Sequence, residues 1–70
     1  MIERQCAIEI QKHALKAVSE LSEALNISSG RCSQDKYDEI RRGVGSAIGR
    51  IQVELLEVIY TAYPELDHLK

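Results

Sequence analysis

The chain has 70 residues, 44% of them hydrophobic, with nine Lys and Arg against eleven Asp and Glu, for a formal net charge of −2. That size holds one small domain with a marginal core, since so short a chain buries only about 60% of its unfolded surface, and the mild acidity argues against binding bare phosphate backbones. Two cysteines are too few for a disulfide scaffold, no Cys/His cluster has zinc-finger spacing, and no apolar run approaches the roughly 18 residues needed to cross a bilayer.

Met1-Ile2-Glu3-Arg4-Gln5 lacks the basic-then-apolar order of a signal peptide. A cytoplasmic location with reduced thiols, away from membranes, is therefore expected. Small domains without disulfides or metals rely on good helix packing or on oligomerisation. Trp and Phe are absent, so bulk comes from Leu, Ile, Val and three tyrosines.

Residues 2–27 contain no Gly or Pro and are rich in Ala, Leu, Glu, Lys and Gln, which favour a first helix. Ala7, Ile10, Ala14, Ala17, Leu21 and Ala24 recur at spacings of three and four. Val18 and Leu25 widen that stripe, and Ile8 and Leu15 extend it to one side. The apolar arc covers about half the circumference, more than a single neighbouring helix needs.

Residues 26–33 read as the connection, with Asn26, several serines and Gly30, which suits a left-handed helix end. Ser33 or Asp35 is placed to cap the next helix, whose first turns carry Asp35, Asp38 and Glu39 at the favourable end of the helix dipole. A second helix is expected over 34–62. Tyr37, Ile40, Val44, Ile48, Ile51, Leu55, Val58 and Ala62 form its main stripe. Pro64 stops it and pushes Tyr63 out of helical geometry. The tail, 64–70, has room for one more turn, with Leu66 and Leu69 able to fold back. At 1.5 Å per residue the helices are each roughly 40 Å long, and so short a connection makes them antiparallel neighbours.

Gly43-Val44-Gly45-Ser46-Ala47-Ile48-Gly49 is the unusual stretch. A phosphate-cradling loop would need a preceding strand and a βαβ setting, and Asp38-Glu39-Ile40-Arg41-Arg42 is no buried strand. A break in the helix is the plainer alternative, because three interior glycines cost about 3 kcal/mol relative to alanine. The preferred reading is close helix packing, with small residues four apart at Gly43/Ala47 and Gly45/Gly49. At 100° per residue, Gly45 and Gly49 continue into Val53, Leu56, Tyr60 and Tyr63 as a second apolar stripe. One partner helix cannot cover both stripes.

Chemistry is sparse. Cys6, Glu9 and His13 fall on one side of helix one with Glu20 beyond them, but the spacing is Glu-x-x-x-His instead of the Glu-x-x-His of bundle metal sites. A helical Glu9–His13 pair explains them as well. Cys–His nucleophilic chemistry needs a third group and a pocket. Arg41 and Arg50 lie on opposite sides of the helix, and Arg42 is placed to pair with Asp38. No catalytic, cofactor or metal residue is assigned, and the chain is not read as an enzyme. An intrachain Cys6–Cys32 bridge is excluded: about 20 helical residues, roughly 30 Å, separate Cys6 from the connection.

The architecture resembles the ROP-like helical hairpins, which dimerise into four-helix bundles, one of which binds paired RNA loops. Separately, residues 37–67, with Arg42-Gly43, Gly45, Gly49, Leu55-Leu56, Ile59-Tyr60 and Tyr63-Pro64-Glu65-Leu66, are similar to the C-terminal helix of small uncharacterised bacterial proteins. The first resemblance implies a four-helix bundle. The second covers less than half the chain and implies no activity.

The expectation is an all-α, antiparallel two-helix hairpin that dimerises into a four-helix bundle. Its role is that of a non-catalytic interaction protein, with itself or another protein as partner. The contacts expected are Gly45, Gly49, Val53, Leu56 and Tyr60 on helix two, with Ala14 and Leu21 on helix one. A nucleic-acid-binding bundle is the alternative, and a metal protein or enzyme ranks below both.

Overall fold

The computed structural model describes residues 1–67; His68 and Leu69 of the tail lie outside them. Its regular elements are all helical, in two long arms. The first arm, α1, spans Arg4–Ser28. It begins two residues later than the composition suggests, because Glu3 is extended (φ −66°, ψ 143°) and makes no side-chain cap. Ser28 Oγ donates to the Leu25 carbonyl at 2.7 Å, and the Arg31 amide closes a turn on the Ser28 carbonyl at 3.1 Å. Gly30 sits at φ +75°, where a side chain would be strained.

The second arm opens with α2, Gln34–Arg50. Of the two candidate caps, Ser33 takes the role: its Oγ accepts from the Lys36 amide at 3.3 Å. Asp35 lies in the first turn. The helix runs unbroken through Gly43, Gly45 and Gly49, so the glycines do not interrupt it. Burial of Val44, with Ala47, Ile48 and Ile51 half-buried beside it, offsets their low propensity.

The irregularity lies downstream instead. Ile51–Leu56 is a π-helical segment, and α3, Glu57–Ala62, follows it directly. All four residues at its joints stay in the right-handed helical region, from Arg50 (φ −66°, ψ −40°) to Glu57 (φ −61°, ψ −39°), so the rod is continuous. A π segment accommodates one extra residue and rotates everything after it by about 100° relative to a plain α-helix.

The expected stripe therefore faces α1 only as far as Ile51. Beyond it, Val58 and Ala62 turn outward and Leu55 moves to the flank of the α1 contact, while Leu56, Ile59 and Tyr63 turn inward. Tertiary contacts account for the rotation. Ile59 in place of Val58 buries one more methylene, worth about 0.8 kcal/mol. Tyr63 in place of Ala62 brings a ring and a hydroxyl that donates to the Ile2 carbonyl at 2.9 Å.

Tyr63 leaves helical geometry (φ −137°, ψ 79°) before Pro64, and Pro64–Leu66 forms a single 3-10 turn. That turn folds back on the start of α1. Leu66 joins Ala7 and Ile59 in a buried cluster, flanked by Ile2, Ile8, Ile10, Tyr60 and Tyr63. The molecule measures 46 × 20 × 16 Å, the shape of one hairpin.

Candidate interaction surface

A groove of about 510 Å³ runs between α1 and the π segment. Ile10, Ala14 and Ala17 line it from one side, Ile51 and Leu55 from the other, and Cys6, Glu9 and His13 supply its polar lining. Small residues on α1 make the groove, since alanine leaves space where a larger side chain would fill it. The π segment completes it by setting Leu55 at its edge, at 41% exposure.

The Cys6, Glu9 and His13 cluster of the sequence is thus brought together along one groove. Among the described residues, however, no three His, Cys, Asp or Glu side chains converge as a metal-binding group. No polar or charged residue among them is buried, and no buried side-chain nitrogen or oxygen lacks a hydrogen bond. Arg41 and Arg42 border a shallow surface depression with Asp38, where Asp38 accepts from Gln34 Nε2 at 3.0 Å instead of pairing with Arg42. Both cysteines are free and exposed, and Cys32 Sγ donates to the Ser28 carbonyl at 3.4 Å.

The expected contact residues divide into two groups. Gly45 is exposed and Gly49 half-buried; a Cβ built on either meets no atom within 4 Å, so nothing in the chain presses on them. Val53 is 70% exposed. Leu56, in contrast, is buried in the hairpin at 4% exposure, and Tyr60 is half-buried with its hydroxyl accepting from Gln11 Nε2 at 3.2 Å. The π rotation has drawn these two into the chain's own core, which corrects their placement on a free second stripe. On α1, Ala14 is buried and Leu21 half-buried. Leu55 and Val58 take the outward places instead. The signal for them was the run of adjacent apolar pairs after Glu54.

No family model matches the chain, and neither does any curated protein or solved structure. No helix among the described residues is long and apolar enough to cross a membrane.

Proposed function

We propose that the protein is a non-catalytic interaction module, a small adaptor, regulator or chaperone-like partner of the cytoplasm, whose product is an assembly of helices. The observation that supports this reading is the number of large apolar side chains left outside. Leu15, Ile27, Ile40, Val53, Leu55 and Val58 are all exposed, against a buried core of Ala7, Ala14, Val44, Leu56, Ile59 and Leu66. Leu55 among them shares one groove with Ile10, Ala14, Ala17 and Ile51, and a contiguous apolar face of that kind supports covering by another chain.

The partner we favour is a second copy. The long face measures 46 by 20 Å, large enough to approach the roughly 800 Å² per partner that stable interfaces bury. Two hairpins set face to face about a two-fold axis make a four-helix bundle, the assembly of the ROP-like hairpins. The groove lined by Ile10, Ala14, Ala17, Ile51 and Leu55 then becomes the centre of the bundle.

Sedimentation equilibrium at micromolar concentration tests this. A dimer mass is expected, shifting toward monomer in Leu55→Glu, which places a charge in the groove. A stable, well-folded monomer would remove self-assembly from the reading. A mobility-shift assay with structured RNA separates the alternative: salt-dependent, submicromolar binding would favour a nucleic-acid-binding bundle.

A further inference from the structure

We infer that the second arm has two helical registers, and that the π segment selects which of two apolar faces turns toward α1. After Glu54 the apolar residues come in adjacent pairs: Leu55 with Leu56, Val58 with Ile59, and Ala62 with Tyr63. In the structure the second members point inward, with Leu56 at 4% and Ile59 at 1% exposure, while Leu55 stands at 41% and Val58 at 58%. Sequence neighbours lie about 100° apart around a helix. Straightening the π segment into plain α-helix therefore brings Leu55, Val58 and Ala62 onto the stripe of Val44 and Ile51 and carries Leu56, Tyr60 and Tyr63 away from it.

The first half of the arm offers no such choice. Val44 lies between Gly43 and Gly45, and Ile51 lies between Arg50 and Gln52. Rotating that half would bury glycine or a polar side chain. The arm is thus anchored up to Ile51 and has two apolar solutions beyond it.

Each register has its own support. The π register carries the larger inward side chains and three polar ties: Tyr63 Oη to the Ile2 carbonyl, and Gln11 Nε2 to Tyr60 Oη and to the Leu66 carbonyl at 2.7 Å. The α register regains the regular i to i−4 hydrogen bonding that a π segment gives up. In that register Leu56, Tyr60 and Tyr63 join Gly45, Gly49 and Val53 on one outward stripe. On the proposed reading of the protein as a docking module, a partner that takes this stripe draws the α register, and one seated on Leu55 and Val58 holds the π register.

The test needs no partner, so its failure is distinct from failure of the docking proposal. Leu56→Gln combined with Tyr60→Gln places polar groups at one buried and one half-buried position of the π register, both of which the α register turns to solvent. The isolated double variant is expected to keep its helical circular dichroism and a cooperative melt. Its NMR spectra are expected to show new nuclear Overhauser effects from the Val58 methyls to that of Ala7; Leu55 already lines the groove beside Ala14 and does not report the change. Ala7→Gln, whose site faces the second arm in both registers, is expected to abolish the cooperative melt. The reverse pair, Leu55→Gln with Val58→Gln, is expected to keep the π register. A double variant at Leu56 and Tyr60 that loses its cooperative transition, or that folds without the new methyl contacts, overturns the inference.

Discussion

The two ends of the hairpin are held in different ways. At the end carrying the chain's first and last described residues, Ala7, Ile59 and Leu66 are almost sealed from solvent, at 0%, 1% and 6% exposure. Tyr63 and Gln11 tie that end with hydrogen bonds spanning 49 to 61 positions of sequence, and Arg4 meets Glu65 at 3.3 Å on its surface. At the loop end none of residues 15–43 is buried. The connection is shaped by local bonds around Ser28, Gly30 and Ser33, with no core beneath it. A turn that brings two helices together need not be where they are held. Local stability follows buried apolar contact, and here that contact lies farthest from the turn.

Cutting the tie at the closed end has the largest expected effect. Leu66→Ala removes a buried side chain from the closed end and is expected to cost about 2–5 kcal/mol, read as a lower urea midpoint with an unchanged slope. A loss well below that range would mean that the tail does not hold the hairpin. Gly49→Ala probes the middle of the rod, where an added Cβ meets nothing within 4 Å. In the isolated chain it is expected to stabilise by about 1 kcal/mol through helix propensity, with Ser46→Ala as a near-neutral control. Thermal melts at two protein concentrations check the sign. If a second chain presses on Gly49, the same methyl instead costs about 1–3 kcal/mol by overpacking. The smallest effect belongs to the loop end: Ile27→Ser, at a residue 55% exposed, is expected to stay within about 0.5 kcal/mol. A larger loss in the same melts would show that the loop end is covered in solution.

Much of this fold is legible in the sequence because its signals are local. The run without Gly or Pro makes α1, Ser33 starts the second arm, and Pro64 ends it. The main stripe of the second arm can be followed through Val44 and Ile51. What cannot be read is the π segment. Leu55 and Leu56 are the same residue type in adjacent positions, and propensity does not choose between them. Val58 and Ile59 are nearly as alike. The choice is made by Ile2 and Gln11, which lie about half a hundred positions or more away in the chain and close by in space. The same ambiguity divides the candidate surface. Gly45, Gly49 and Val53 precede or begin the rotation, the glycines open to an added Cβ and Val53 exposed, whereas Leu56 and Tyr60 follow it and are drawn inside.

The meeting of Ile2 with Tyr63 has a mechanical consequence. Both strands of the hairpin leave the fold at its best-held end, so tension applied at Ile2 and Leu66 falls first on the Tyr63 hydroxyl and on the contacts among Ala7, Ile59 and Leu66. Nothing at the loop end bears force until those have yielded, and by then only weaker contacts remain. Pulled this way, the hairpin resists up to one threshold and then opens in a single step. The same helices with their core beside the turn would instead peel apart gradually, meeting their strongest resistance last.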